Sequence, residues 1–211
     1  MHDRQHFDLD AGVDCLAFAN TLDGRMDEVP DERLRSYADL VAFAEQTEQL
    51  DPSEGERLRQ LAAQHPDAAQ SVLERAIATR ETIYRTFSAV AADRLPDAAD
   101  LEALNAELHT AMAHFELAAG PERVEWAWQS EPLMLDRPLW PIVRSAADLL
   151  TSDETGRIRE CAAHDCGWLF FDESRNRSRR WCSMQSCGNR AKVDRFRARQ
   201  RGAQLVEEPA G

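Results

Sequence analysis

For the first 150 residues, apolar positions recur mostly at the three- and four-residue spacing of helices. The stretch "FDLDAGVDCLAFANTLDGR" alternates at Phe7 and Leu9, then sets Val13, Leu16, Ala17 and Asn20 at helical spacing before Asp23-Gly24, predicting an extended lead and a helix. Ser36 and Asp39 have the spacing of a capping box, and Tyr37, Leu40, Val41 and Ala44 continue as one stripe to about Leu50. Asp51-Pro52 starts a short helix, because Asp caps and Pro is tolerated in the first turn. After His65-Pro66 a long helix is predicted to about Leu95, where Pro96 stops it. Its apolar face carries one cation, Arg80, among Leu73, Ile77, Tyr84 and Phe87. A further helix from Asp97 shows Leu101, Leu104 and Leu108. The period then changes to two: Phe115 and Leu117, a Gly-Pro turn, and Val124, Trp126 and Trp128 predict a hairpin. Pro138 opens a last helix with Leu139, Ile142, Val143, Ala146, Leu149 and Leu150 on one face.

These patterns give an α+β protein with a mainly helical body over residues 1–150 and a small hairpin. The stretch "TSDETG" reads as a linker over 151–156, residues 157–203 as a second unit and 204–211 as a flexible tail. With 211 residues and 43% apolar content the chain can bury a sizeable core. No run approaches the roughly 18 apolar residues of a membrane span, and the start lacks a secretory pattern, so a cytoplasmic location without a membrane partner is expected.

Charge divides the chain. The formal net charge is −13, yet residues 157–201 hold 12 Lys or Arg against five acids, leaving −20 for everything else. A basic end on an acidic body points to an anionic partner for that end alone.

Four of the five cysteines fall in the same segment, as Cys161-x4-Cys166 and Cys182-x4-Cys187. Two close pairs around a short insert suit one tetrahedral zinc held by four thiolates. An iron–sulfur cluster is the main alternative, and a redox site would favour two-residue gaps. His164 lies between the first pair and is either a substitute ligand or an exposed turn residue. Cys15, on the first helix, reads as a small buried hydrophobe. The insert "GWLFFDESRNRSRRW" has an apolar start, a polar turn and a return to Trp181, the pattern of a small hairpin. A helix-compatible segment follows Cys187. Knuckle, hairpin and helix outline a treble-clef finger.

The segment "CAAHDCGWLFFDESRNRSRRWCSMQSCGNRAKVDRFRARQR" resembles the CGNR zinc-finger family, named for the tetrapeptide at Cys187–Arg190. In that family the finger follows an ABATE domain that begins with a motif like "CLAFANT", found here at Cys15–Thr21. The resemblance implies a bacterial transcription regulator with one structural zinc on Cys161, Cys166, Cys182 and Cys187, a DNA-binding finger and a body able to hold a small effector.

Zinc with four thiolates carries −2, so the segment's +7 falls to about +5 once the site is filled. Arg175, Arg177, Arg179 and Arg180 in the insert, with Asn189, Arg190, Lys192, Arg195, Arg197 and Arg199 in the terminal helix, are the candidate nucleic-acid contacts. Val193, Phe196 and Gln200 form the helix stripe expected to pack inward. DNA is the favoured partner. RNA, with Trp168 and Trp181 as stacking platforms, and a zinc-stapled protein-interaction module are the alternatives. In the body, Asn20, Thr21, Arg80 and Asn105 are candidate effector contacts. Asn20 and Thr21 also read as caps at a helix end, and Arg80 as a snorkelling side chain or the partner of a buried carboxylate, while Asn105 sits inside a helix with no capping duty. No nucleophile motif or paired-carboxylate motif is present, so catalysis is not expected. A homodimer would strengthen the weak grip of a single finger.

Overall fold

The computed structural model describes the backbone of residues 7–204, and the side chains of these except Asp194 and residues 198–204. The "VEEPAG" tail therefore lies outside the described residues. The chain opens with an extended lead and a short helix, α1 (Asp14–Ala19), whose Cys15 to Ala19 are all buried. A pair of two-residue strands follows, β1 (Leu22–Asp23) against β2 (Asp31–Glu32), which no periodic pattern announces. Then come α2 (Tyr37–Gln46), α3 (Pro52–Gln64), α4 (Pro66–Ala91) and α5 (Ala98–Met112).

Local chemistry sets the helix starts. Ser36 Oγ accepts from the Asp39 N–H at the head of α2. Asp51 accepts from Ser53 and Glu54 at the head of α3, and Asp97 from Ala99 at the head of α5. The long helix α4 stops four residues before its predicted end. Asp93 adopts a left-handed φ of 54°, and the Arg94 N–H turns back to the Ala89 carbonyl. The expected hairpin is β3 (Phe115–Ala119) antiparallel to β4 (Val124–Trp128), with Leu117 opposite Trp126. Helix α6 (Leu139–Leu150) completes the body.

The core gathers around α4, which packs on α1, α2, α3 and α5. Leu73, Ala76, Ile83 and Phe87 of α4 meet Leu16 and Phe18 of α1 and Leu40 and Phe43 of α2. Phe43 takes Phe7 and Phe18 edge-on at 5.3 and 5.4 Å. No helix among the described residues is long and apolar enough to cross a membrane.

After α6 the chain makes one 3-10 turn (Thr155–Arg157) and enters β5 (Ile158–Glu160), which pairs antiparallel with β6 (Leu169–Phe171). This corrects the hairpin expected within 167–181: the strand at Leu169–Phe171 pairs backwards, so the hairpin brackets the first cysteine pair. The alternation of β6 explains why. Leu169 points into the body core, with Ile158, whereas Phe170 joins the four cysteines in a second small cluster. Both faces of β6 are buried, by different cores. A π-type turn (Met184–Gly188) leads into the terminal helix α7 (Asn189–Gln204). There the expectation for the stripe fails: Val193 is 45% and Phe196 61% exposed, while the Gln200 side chain lies outside the described residues.

Candidate metal centre and the basic surface around it

The hairpin β5–β6 makes the first half of the site. The Cys161 N–H donates to the Trp168 carbonyl at 2.8 Å, and the Cys166 N–H to that of Ala163 at 3.2 Å. Gly167 closes this turn at φ +73°, where an added Cβ would also come within 3.3 Å of Arg25. The second half comes from the π-type turn, whose cap Ser183 accepts from the Gln185 N–H and whose Cys187 is buried. The Cys182 N–H donates to Cys161 Sγ at 3.4 Å, joining the halves.

All four sulfurs are buried and lie within 4.8 Å of one another. Cys166 and Cys182 are 3.6 Å apart, Cys182 and Cys187 3.5 Å, far beyond a disulfide bond. Tetrahedral zinc with bonds of about 2.3 Å requires sulfurs about 3.8 Å apart, so the four residues fit one zinc ion. Without a cation the four thiols cannot all ionise: hydrogen bonds from Cys166 and Cys182 pull Cys161 down, while Cys161 pushes Cys166 and Cys182 up. A divalent ion lets every sulfur be thiolate, and binding releases protons. His164 is exposed and outside the cluster. Cys15, sealed in the body, has its thiol raised to about 12 by burial.

Around the sulfurs, arginines divide by what they touch. Arg190 donates to Cys187 Sγ at 3.0 Å and pairs with Asp165 at 3.1 Å, offsetting the negative charge of a filled site. Arg179 is spent on the backbone. It donates to the carbonyls of Trp181 (3.0 Å), Cys182 and Asp10 (3.2 Å), and lies 4.5 Å over the Phe170 ring. Asn189 donates to the Gln185 carbonyl. Arg180 and Arg195 flank the Trp181 ring at 5.4 and 5.9 Å with their charges exposed. Arg175, Arg177, Lys192 and Arg197 are exposed too. The Arg199 side chain lies outside the described residues.

Sequence reasoning missed Asp172. This buried carboxylate accepts from the N–H groups of Ser174 and Arg179, both at 2.9 Å, and so folds the arginine-bearing loop. An acid with a serine two residues on is an Asx-turn signal that could have found it. Also missed was the loop between β1 and β2. Its Asp27 and the flanking strand residues Asp23 and Asp31, with Asp8 and Asp165, line an acidic depression of about 350 Å³ against the cysteines and Arg190.

Three of the four candidate effector residues lie together: Asn20 and Thr21 are neighbours in the chain, and the Arg80 guanidinium donates to Thr21 Oγ1 at 3.4 Å. The Asn20 amide grips β6 from the side, donating to the Leu169 carbonyl at 2.8 Å and accepting from its N–H at 2.9 Å. Thr21 donates to the Phe18 carbonyl. Arg80 is paired with Glu32 and Glu81. Asn20 and Thr21 line a small cavity of about 170 Å³, whereas Asn105 borders a separate, larger one with Leu101 and Leu108.

Residues 12–153 match the family model ABATE, described as "Putative stress-induced transcription regulator", and residues 157–200 match that of the CGNR zinc finger. No curated protein matches the chain. The first match covers well over half of the 211 residues and the second takes in all four clustered cysteines: the chain belongs to the ABATE family and carries a CGNR zinc finger.

Proposed function

We propose that the chain is a transcription regulator whose zinc finger grips the phosphate backbone of duplex DNA while the body responds to a small effector. The observation that carries this reading is the fan of exposed cations, Arg175, Arg177, Arg180, Lys192, Arg195 and Arg197, set around a rigid four-cysteine centre. Each phosphate such a surface neutralises releases counterions, and this drives binding in a salt-dependent way. Trp168 and Trp181 pack against the cysteine cluster, which favours duplex over stacked single strands. The description of the ABATE family supports a regulatory role, and the reading assigns no reaction to the chain.

In the same reading two chains act together. On the hairpin, Leu117 and Trp126 pair across one face and stay 62% and 59% exposed, an apolar surface suited to its own copy about a twofold axis.

The test is a fluorescence-anisotropy titration of the zinc-loaded chain with duplex DNA and with single-stranded RNA at several salt concentrations. Duplex binding with a steep logarithmic salt slope is expected. Replacing Arg175 and Arg177 by Glu should lower that slope by about one for each phosphate left without its cation. Flat, negligible binding to both nucleic acids overturns the reading, and tighter RNA binding moves it to RNA.

A further inference from the structure

Helix α5 carries its leucines at positions 101, 104 and 108, yet only Leu104 is buried. Leu101 and Leu108 instead border a cavity of about 680 Å³ whose opposite wall is Val143, Ala146, Ala147 and Leu150 of α6. The cause is local: α6 offers alanines where α5 offers leucines, so the two helices touch without filling the space between them. The turn after α4 forms the rim. Asp93, held left-handed, swings Leu95 out to 93% exposure beside the opening. An apolar wall of this volume with few polar groups is the usual form of a small-molecule site.

Those polar groups define the chemistry. Asn105 and Arg94 border the cavity, and the Arg94 guanidinium has no ion pair or hydrogen bond among the described residues. Asp93 stands at the same rim, which favours a ligand with no more than one negative charge. At the other end are Thr155 and Gly156, in the turn that leads directly into β5 and the first zinc ligand.

We propose that this cavity is the effector site, and that it takes a small molecule with an aliphatic or aromatic body and a single carboxylate or sulfonate head. The body lies between α5 and α6; the head meets Arg94 and Asn105. An occupant touches the segment that joins α6 to the finger, which gives it a route to the metal centre. This inference rests on the effector-sensing part of the proposed function and names its site and ligand class.

The test uses the full zinc-loaded chain with 1-anilinonaphthalene-8-sulfonate as fluorescent probe and dodecanoate as competitor. One saturable probe site, emptied by dodecanoate, is expected. Ala147→Trp fills the cavity from α6 and should weaken binding at least tenfold. Leu101→Glu, at a partly exposed position, should do the same if Ala147→Trp fails to fold. Arg94→Gln should weaken it by roughly tenfold, as for loss of a charge-assisted hydrogen bond. Trp126→Ser, on the other exposed apolar surface, should leave it unchanged. Absence of saturable binding, binding that survives the cavity variants, or binding abolished by Trp126→Ser overturns the proposal. Duplex binding is measured on the same preparations. Probe binding without duplex binding sinks the nucleic-acid reading alone, and the reverse sinks the cavity alone.

Discussion

Arg80 shows how a cation persists on an apolar helix face. It is 2% exposed, and its fork meets Glu32 at 2.6 and 2.8 Å while Nε meets Glu81 at 2.9 Å. Burial works against the charge of Glu81, but bonds from Arg25 and Arg80 outweigh it and hold the carboxyl below its ordinary range. Arg25 continues the chain of charge by lying 3.9 Å over the Tyr84 ring. From sequence, Arg80 could be a structural pair or a ligand contact, because its partner Glu32 lies 48 residues away and no local spacing links them. Asn20 is equally open to both readings. Its partner is backbone, the outer edge of β6, which a two-stranded sheet would otherwise leave unpaired. Asn20→Ala strands a buried N–H and a buried carbonyl, each worth about 1–3 kcal/mol, and should cost about 2–6 kcal/mol in all. Urea unfolding of the zinc-loaded variant checks this; a loss below about 0.5 kcal/mol would mean that water replaces the amide.

Elements with their own signals were legible. The starts of α2, α3 and α5 could be read from caps, and β3–β4 from alternation, because those signals lie within a few residues of the structure they cause. The cysteine spacing was legible for the same reason: each pair is one turn. What was hidden depends on distant chain. The Leu169-Phe170-Phe171 run reads as the apolar start of a local hairpin, but it is apolar because two separate cores claim its two faces. The stripe on α7 reads as core, yet Val193 and Phe196 stay 45% and 61% exposed. The zinc-dependent elements can be separated by experiment. Strand β6 is held from the body side by Asn20 and by the Ala11 carbonyl, which accepts from the Phe171 N–H. The start of α7, by contrast, hangs on the turn that contains Cys187. Chelating the zinc should therefore melt α7, 16 of the 98 residues in the seven α-helices among the described residues, or roughly a sixth of their helical circular dichroism. The rest should persist. Loss of the whole helical signal would mean that body and finger fold as one unit, and no change would mean that the metal has no structural role.

At the scale of the molecule, the charge division read from sequence takes on a geometry. The acidic body does not merely sit at the other end of the chain. Its β1–β2 loop lines the depression beside the cysteines and Arg190, so one flank of the finger faces carboxylates. Phosphate approaching that flank meets repulsion, whereas the loop bearing Arg175 and Arg177 and the outer side of α7 offer exposed cations. Under the proposed function, this arrangement would orient the nucleic acid without contact from the body. Neutralising the flank tests this. Asp8→Asn with Asp27→Asn removes two charges from the depression and keeps the shape of each side chain. At low salt the double variant should bind duplex DNA roughly two- to fivefold more tightly, with the gain falling away as salt shortens the reach of the field. Glu56→Gln on exposed α3, which removes one charge outside that depression, should change little. An equal gain from Glu56→Gln would make net charge, and not placement, the controlling quantity. A gain that persists at high salt would point to direct contact instead of field. The prediction holds only if the depression lies beside the bound phosphates, so the salt dependence of this one variant ties the body's acidic loop to the side from which the finger is approached.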